Sequence, residues 1–580
     1  MNFFGKTANA VCFWGGAALG AIFRADYLAK ARRGARVSEK ALKKILRVSR
    51  DTEFGKRFAF SAIKSVGDYQ RAVPLTTYDD YQDYISRMVN GGEQNLITGR
   101  RISYYATTSG SVGQTKLIPQ AFSCYGSIFK VICLMVRDAA AAMQRRGACG
   151  VPARGLLTTE IHIGRVDDGG EDRHTSGGGV SSYAINGVKV FLPLFTPFPK
   201  EAFEGGIENL RYVKARCALM DPNVRWLCGP YMSMLTDIIS YILENHEMLI
   251  RDIESGRIDP SIRMSAEVRG RLERKLRPDP MRAAELRAIF DGGSEKGVVS
   301  KIWKKLSLVQ AVGAGDFMPF TKKMLHWCDT DVSLSYASYT ASEAWMGYSF
   351  HFSDPRYLLL LDGNFYEFLP VDENGETDTA HPLLMQQLEV GKYYEIVLTT
   401  PAGLYRYRLR DVLKVTGFEG ETPYFEFAYR ANRTTDLCGS HITDAFVNAA
   451  VEAVEKELGL RIDDYSLYAD TEHLPPRVVM FMEPERPVDA EERRRMREVF
   501  EAALVRVARG YRISRQANNL GVSEVYPVEK GSYMRYRQLR IAKGAAENQM
   551  KSIRVIKPGE ELAYFLAAVT EVGKQRGDEE

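Results

Sequence analysis

The feature that most limits the fold of this 580-residue chain is a change from helix-like to strand-like sequence patterns at Gly391. Before it, amphipathic spacing over Ser38 to Arg50 and over Thr77 to Asn90 predicts helices. After it come three runs rich in β-branched and aromatic residues, YYEIVLTT, LYRYRLRDVLKVTGF and YFEFAYR. We therefore expect an α/β protein whose large N-terminal domain contains β-sheets flanked by helices.

Helix-like and strand-like stretches alternate after about Asn432. The predicted elements are a helix over Thr443 to Leu458, strands over Tyr465 to Ala469 and Arg477 to Met482, and a long helix over Arg493 to Gly510. Asp489 and Glu492 have the spacing of a capping box at the start of that last helix. About 150 residues suffice for a small domain. We predict a large domain over 1–431 and a small, mobile α+β domain over 432–580.

The composition excludes several classes of protein. With 45% hydrophobic and 26% charged residues, the chain is typical of globular proteins. Its 78 Lys and Arg barely exceed its 73 Asp and Glu, and charges of both signs run along it, so nucleic acid is not expected as the main partner. The cysteines form no C-x-x-C pair, which argues against a disulfide framework or zinc site and for a cytoplasmic location.

The amino terminus contains an apolar stretch, Ala8 to Phe23, followed by basic residues. It is shorter than the roughly 20 residues needed to cross a bilayer. We predict a terminal helix packed on the body of the protein. The alternative is a weak peripheral membrane contact through residues 1–36, in which Arg24 to Arg36 meet anionic lipid and bring the protein to a fatty acid.

A segment between two strand-like runs, TTSGSVGQTK (Thr107 to Lys116), combines hydroxyl side chains, glycines and a lysine. Its glycines allow close backbone approach, and its hydroxyl and N–H donors with Lys116 suit a polyphosphate. It is not a Walker loop, because Lys116 follows Thr115 rather than glycine. Taken alone, a segment rich in Gly, Ser and Thr is more often only a turn. A helix is predicted from about Gln120.

Three further motifs follow it in order: YTASE (Tyr339 to Glu343), YRLRD (Tyr407 to Asp411), and Arg430 followed by Asn432 and Gly439. With the hydroxyl-rich segment, they resemble the nucleotide-binding and hinge motifs of the adenylate-forming superfamily, which includes acyl-CoA synthetases and luciferase. The resemblance implies a small domain that rotates about the hinge between two half-reactions.

Four longer stretches carry a closer resemblance, namely Val73 to Gly99, Tyr366 to Pro370, Leu404 to Asn432 and Ala546 to Val555. They resemble the plant acyl-acid amido synthetases, which conjugate auxin, jasmonate or benzoates to amino acids, and their bacterial relatives. The resemblance implies an ATP- and Mg²⁺-dependent ligase that adenylates a carboxylic acid and passes the acyl group to an amine. Its partners would be a small carboxylic acid and an amine, expected to be an amino acid.

The resemblance also implies roles for single residues. The phosphates would be held by Thr108, Ser109, Gly110 and Ser111. Lys116 would lie near them as a catalytic cation or serve a structural role. Glu343 would bind Mg²⁺, and Ser342 and Tyr339 would complete the ATP-binding motif, with the Tyr339 ring either against adenine or in the core.

Three residues in the carboxy-terminal third complete the expected site. Asp411 would accept hydrogen bonds from the ribose hydroxyls, and Arg430 would bind ATP beside the hinge. Lys551, in the sequence NQMK, would stabilise charge passing from carboxylate to phosphate, as a mobile point charge can.

The chain departs from the resemblance at two places that bear on activity. Arg410 stands where glycine is usual, so either the position does not need a positive φ or Asp411 is presented differently. Ser440 and His441 replace an Asp-Lys pair of the plant enzymes. These departures leave open a nucleotide-binding scaffold without catalysis. An acyl-CoA ligase, which uses a thiol rather than an amine in the second step, is a separate alternative. The acid, the acceptor and the oligomeric state cannot be read from the sequence.

Overall fold

A computed structural model describes residues 3–108, 116–121, 124–151, 153–158, 163–166, 173–176, 195–199, 209–314, 317–372, 377–430, 437, 440, 442–516, 519–543 and 552–574. This part of the chain has a mixed α/β fold with sheets flanked by helices, which confirms the predicted fold class. Its α-helices are α1 Phe3–Ala31, α2 Gly34–Ser49, α3 Glu53–Arg57, α4 Val66–Ala72, α5 Gln82–Asn90, α6 Cys124–Arg145, α7 Leu210–Met220, α8 Met232–Glu244, α9 His246–Ser255, α10 Ala266–Glu273, α11 Pro280–Asp291, α12 Val298–Ile302, α13 Met318–Trp327, α14 Asp444–Leu458, α15 Ala490–Val507, α16 Arg509–Gln516, α17 Ser532–Ala542, α18 Glu560–Ala567 and α19 Glu571–Lys574.

Its strands are β1 Ile102–Thr108, β2 Lys116–Ala121, β3 Arg154–Leu157, β4 Ile163–Val166, β5 Arg173–Ser176, β6 Val224–Tyr231, β7 Leu308–Val312, β8 Ser333–Ser335, β9 Ser338–Thr340, β10 Trp345–Tyr348, β11 Tyr357–Leu359, β12 Phe365–Val371, β13 Tyr393–Thr399, β14 Tyr407–Glu419, β15 Thr422–Arg430, β16 Ile462–Asp470, β17 Arg477–Pro484 and β18 Glu524–Pro527. The short 3₁₀ turns are Phe60–Ala62, Tyr78–Tyr81 and Met385–Gln387. Strands β13, β14 and β15 confirm the strand-like runs after Gly391, and α2 and α5 confirm the two amphipathic helices.

The chain divides into two compact units whose residues interleave along the sequence. The first unit consists of residues 1–365, 398–407 and 417–424, and the second of residues 366–397, 408–416 and 425–580. The boundary predicted near residue 432 is not tested by this division and stays a prediction.

In the first unit, α1 confirms the predicted terminal helix and packs along α6. The two helices approach closely, because a Cβ at Gly20 would collide with the carbonyl oxygen of Cys133. Phe13 is fully buried in a cluster with Met143 and Trp226. No helix among the described residues is long and apolar enough to cross a bilayer.

Also in the first unit, strands β3, β6, β7 and β8 form a parallel sheet in that order. Side chains along its strands, such as Leu227, Val309 and Leu334, are almost completely buried. Such continuous burial is typical of parallel sheets covered by helices on both faces. A second sheet has the strand order β2, β1, β5, β4 and carries the hydroxyl-rich segment at one end.

In the second unit, β16, β17 and β18 form a sheet against which α14 and α15 pack. Val454, Met480 and Phe500 are fully buried in this core. The predicted capping box is confirmed at the start of α15, where Glu492 N–H donates to Asp489 at 2.8 Å and Asp489 N–H donates to Glu492 at 3.1 Å. The order of helix, two strands and long helix is therefore the predicted one.

Candidate functional site

The hydroxyl-rich segment joins two paired strands. Strands β1 and β2 are antiparallel, and their last paired residues are Thr108 and Lys116. The segment is therefore the connection of a β-hairpin, as predicted. Residues 109–115, and with them the predicted phosphate ligands Ser109, Gly110 and Ser111, lie outside the described residues, as does the side chain of Thr108.

The helix predicted from about Gln120 begins later, at Cys124. Strand β2 continues to Ala121, because Pro119 and Gln120 extend the pairing with Tyr105 and Tyr104. Gln120 is 1% exposed in this strand. Its buried amide becomes part of the candidate site.

Lys116 is held beside an aromatic ring in the first unit. Its Nζ lies 5.0 Å from the centre of the Tyr78 ring, a distance at which a cation is attracted to the ring face. The Tyr78 hydroxyl accepts a hydrogen bond from Leu117 N–H at 3.0 Å, which fixes the start of β2. Burial raises the pKa of Tyr78, so the phenol stays neutral near pH 7. Tyr78 therefore orients both the lysine and the hairpin.

The YTASE motif forms a tight turn between β9 and β10. Thr340 pairs with Trp345, and Ala341 N–H donates to the Ala344 carbonyl at 2.9 Å, which places Ser342 and Glu343 at the partly exposed tip. Tyr339 is 8% exposed, and its ring centre lies 6.1 Å from that of Tyr357.

Two hydrogen bonds join this turn to other motifs. The Gln120 amide donates to the Ser342 carbonyl at 2.6 Å, across 222 positions of sequence, and so ties the turn to the hairpin. The Tyr407 hydroxyl donates to a Glu343 carboxylate oxygen at 3.3 Å, and so ties the turn to the first residue of YRLRD. Within the first unit, the turn is therefore bonded to strand β2 and to Tyr407, both of which are far from it in sequence.

Hydrogen bonds to the segment from Val73 to Thr76 fix the backbone just before Tyr407. Thr76 N–H donates to the Arg406 carbonyl at 2.9 Å, and its hydroxyl donates to the Tyr405 carbonyl at 2.7 Å. The Arg406 guanidinium donates to the carbonyl of Val73 at 2.7 Å.

The resemblance included these stretches, but sequence reasoning missed Gln120, Tyr78 and Tyr407 as supporting residues. The signal for Gln120 was an amide at the end of the apolar run LIPQA.

Asp411 and Arg430 are brought together in the second unit. Arg430 Nε lies 2.9 Å from an Asp411 carboxylate oxygen, and the aspartate side chain is 9% exposed. Arg430 also donates to the Leu409 carbonyl at 3.5 Å. The structure thus pairs two residues that the sequence assigned separately to ribose binding and to the hinge.

Arg410 precedes this aspartate with φ at +67°, in the left-handed region. The first explanation offered for the missing glycine is therefore wrong, because the position does adopt a positive φ. An arginine in this region carries a strain of about 1 to 2 kcal/mol that glycine would not. Burial lowers the pKa of its guanidinium.

Lys551 lies outside the described residues, but the chain directly after it is fixed. Leu467 N–H donates to the Arg554 carbonyl at 2.7 Å, and Ile556 N–H donates to the Leu467 carbonyl at 2.8 Å, so this segment pairs with β16. Arg554 is 5% exposed and forms an ion pair with buried Asp464, which also accepts from the Ser552 hydroxyl at 3.0 Å. Burial raises the pKa of Asp464 despite this pairing.

Sequence models of one family match three successive parts of the chain. The GH3 family N-terminal domain matches residues 25–332, the GH3 family central domain residues 357–430, and the GH3 family C-terminal domain residues 445–560. The chain belongs to the GH3 family. The resemblance stated from the motifs is thereby confirmed.

Named GH3 relatives match the chain over nearly its whole length. The indole-3-acetic acid-amido synthetase GH3.8 of Oryza sativa subsp. indica is 27% identical over 554 residues, covering 90% of this chain and 88% of the relative. The jasmonoyl–L-amino acid synthetase GH3.5 of Oryza sativa subsp. japonica is 25% identical over 557 residues, covering 91% and 93%. The solved structure of the AtGH3.15 acyl acid amido synthetase in complex with 2,4-DB superposes with a TM-score of 0.83 at 21% identity, covering 96% of both chains.

Glu343 is the carboxylate expected to bind a magnesium ion. Among the residues that the structure describes, no three His, Cys, Asp or Glu side chains cluster as metal ligands. Mg²⁺ in nucleotide sites is commonly held by one or two carboxylates together with substrate phosphates. Glu343, at a partly exposed turn tip and bonded to Tyr407, fits that mode of binding.

Proposed function

We propose that this GH3 protein is an ATP-dependent ligase that adenylates a small carboxylic acid and joins its acyl group to the amine of an amino acid. The observation that carries the proposal is that the YTASE turn is bonded to Gln120, in the strand that follows the hydroxyl-rich segment, and to Tyr407, the first residue of YRLRD. The relatives are named for joining indole-3-acetic acid and jasmonate to amino acids, which supports the same reaction class.

The reaction has two balanced steps. A carboxylate oxygen of the acid bonds to the α-phosphorus of ATP, and the bond to pyrophosphate breaks. The amine nitrogen then bonds to the activated carbonyl carbon, AMP leaves, and the nitrogen loses a proton. The first step gathers negative charge at the phosphates, so fixed donors and cations aimed there lower its barrier.

Residue roles follow from that charge. Asp411 would accept hydrogen bonds from the ribose hydroxyls. The phosphates would be bound by Thr108, Ser109, Gly110, Ser111 and Lys116. Mg²⁺ bound at Glu343 would neutralise phosphate charge. Lys551 would enter the site as a further cation, on a chain whose following residues are anchored by Arg554.

The setting of the reaction is also part of the proposal. We place it in the cytoplasm, since the cysteine pattern gives no disulfide framework. We also propose that a domain over 432–580 rotates about the Arg430 hinge between the two steps.

The experiment that tests the function is acid-dependent exchange of labelled pyrophosphate into ATP with Mg²⁺. The panel holds indole-3-acetic, jasmonic, aryl and fatty acids, and active acids are then incubated with amino acids and with coenzyme A in parallel. Exchange followed by amide formation supports the ligase. Thioester without amide would instead identify an acyl-CoA ligase, and ATP binding without exchange for any acid would identify a scaffold.

A further inference from the structure

We infer that the surface formed by α1, the adjoining face of α6 and the basic residues that follow α1 is a docking surface for an anionic lipid bilayer, on which α1 lies without spanning it. The inference deepens the peripheral contact expected from residues 1–36 by assigning it an apolar face and a charge. It is independent of the proposed ligase reaction.

The outer face of α1 is apolar over most of its length. Phe4, Val11 and Ile22 are 81%, 67% and 62% exposed, and they lie on one side of the helix because their spacings are near multiples of a helical turn. No charged residue occurs over the 17 positions from Thr7 to Phe23. The face from Phe4 to Ile22 is about 27 Å long at 1.5 Å per residue. A helix packed on a protein normally exposes polar residues on its outer side.

Helix α6 widens this face. Phe129 is 53% exposed and its ring centre lies 6.2 Å from that of Phe23 of α1, while Ile132, three positions along the same helix, is 37% exposed. Exposed apolar side chains on two adjoining helices favour an interaction surface.

The inner face of α1 explains why the apolar outer face stays exposed. Phe13 and Ala17 are buried against α6, and Gly20 allows backbone contact with Cys133. Rotating the helix to hide Val11 and Ile22 would expose this packed stripe. The exposed face is therefore a fixed property of the fold.

The charge of this region departs from the mixed pattern of the rest of the chain. Residues 1–50 contain 11 Lys and Arg against 2 Asp and Glu, a net charge of +9, whereas the whole chain carries +5. Within the described structure, the exposed side chains Arg33, Arg36, Lys40, Lys44 and Arg47 form no ion pair. Arg33 lies between α1 and α2 and Arg36 in the first turn of α2, where the acidic neighbours Glu419 and Glu421 contact Arg32 and Ala35 N–H respectively. A polybasic segment next to an apolar helix face is the combination that anionic membrane surfaces attract.

The same charge disfavours a second copy of the chain as the occupant. A symmetric dimer built on α1 would place two segments of net charge +9 near each other, and like charges across an interface repel. An anionic bilayer supplies the opposite charge together with an apolar layer. The absence among the described helices of one that could span a membrane is consistent with a surface-lying mode.

The test is flotation of the full-length protein with vesicles of phosphatidylcholine alone and of phosphatidylcholine with about a third phosphatidylserine. We expect binding to the anionic vesicles at low salt and a loss of binding at high salt, since surface charges are screened. Pyrophosphate exchange and thermal unfolding of each variant report separately on activity and folding.

The apolar contribution is tested with Val11→Ser/Ile22→Ser. The matched control is Met281→Ser/Val390→Ser, which changes residues that are 85% and 61% exposed elsewhere in the chain. We expect the partition coefficient onto anionic vesicles to fall about tenfold or more for the first pair and to stay unchanged for the control.

The basic contribution is tested with Arg33→Glu/Arg36→Glu against the control Lys301→Glu/Lys305→Glu, whose residues are also exposed. We expect at least about a fivefold loss of binding for each basic residue removed after α1.

Failure of the wild-type protein to float with anionic vesicles at low salt would overturn the inference. So would equal losses in the test and control pairs, or binding that depends on Arg33 and Arg36 but not on Val11 and Ile22. A dimer seen by light scattering that Val11→Ser/Ile22→Ser converts to a monomer, without vesicle binding, would assign the surface to a second copy instead.

Discussion

The two carboxylates assigned to the nucleotide, Glu343 and Asp411, sit in contrasting surroundings. Glu343 is at the tip of a tight turn, partly exposed, and accepts from the phenol of Tyr407 at 3.3 Å. Asp411 is inside a long strand, with a side chain that is 9% exposed and an arginine 2.9 Å away. The Glu343 carboxylate is therefore partly accessible to solvent, whereas the Asp411 carboxylate is nearly buried and paired with an arginine.

That difference matches the role proposed for each group. A carboxylate that takes up a hydrated Mg²⁺ needs access and only loose restraint, since the ion keeps most of its ligands from water and phosphate. A carboxylate that accepts from two ribose hydroxyls needs a fixed orientation, and Arg430 supplies it. The contrast predicts that changes at Asp411 will be the more damaging.

The largest effect is therefore expected for Asp411→Ala. Loss of two charge-assisted hydrogen bonds to ribose should lower kcat/KM for ATP about a hundredfold in the exchange assay. Asp354→Ala is the matched control, because Asp354 also pairs with an arginine, Arg356, at 2.7 Å. Unchanged ATP kinetics in a folded Asp411→Ala protein would contradict the ribose role.

A smaller effect, on the Mg²⁺ dependence of exchange rather than on ATP kinetics, is expected for Glu343→Gln. The amide keeps an acceptor for Tyr407 but loses the charge that attracts the cation, so the Mg²⁺ concentration for half-maximal exchange should rise about tenfold. Glu389→Gln, at an exposed glutamate, is the control. If the Mg²⁺ titration is identical to that of the wild type, Glu343 does not bind the metal.

Tyr407→Phe should have a weaker effect still. It removes a single hydrogen bond to Glu343, and exchange should fall about fivefold. Combined with Glu343→Gln, its effect should be less than additive, because both changes act on one contact. Tyr394→Phe, which removes another tyrosine hydroxyl, is the control. Strict additivity would mean that Tyr407 acts elsewhere.

The smallest effect concerns the strained residue before Asp411. Arg410→Gly should be more stable than Arg410→Ala by about 1 kcal/mol, because only glycine adopts a φ of +67° without strain. At Lys414, in the same strand, the order should reverse, since glycine weakens an ordinary strand. Chemical denaturation measures both differences. The same order at both positions would exclude backbone strain at Arg410.

Local periodicity was sufficient to predict much of the fold. The helices α2 and α14, the strands β13 to β15 and the capping box at Asp489 depend on neighbours in sequence, and each was predictable from spacing alone. The motif order likewise led to the family. The start of α6 was predicted too early, because pairing across the hairpin extended β2 through Gln120.

The supporting contacts could not be predicted in the same way. The bond from Gln120 to Ser342 spans 222 positions, and the pair of Arg554 with Asp464 spans 90, so each depends on how sheets and loops come together in three dimensions. The φ of Arg410 was undecidable from sequence, since an arginine in the left-handed region costs little enough for tertiary structure to impose it.

The close contact at Gly20 has a consequence for anyone who wishes to alter the amino terminus. Because Gly20 has no side chain, α1 can lie against the backbone of α6. We therefore expect Gly20→Leu to separate α1 from α6 while leaving every outward-facing residue of α1 unchanged. Substitutions on the outer face of α1 would then change its binding to lipid, and substitutions on its inner face would change its packing on the protein.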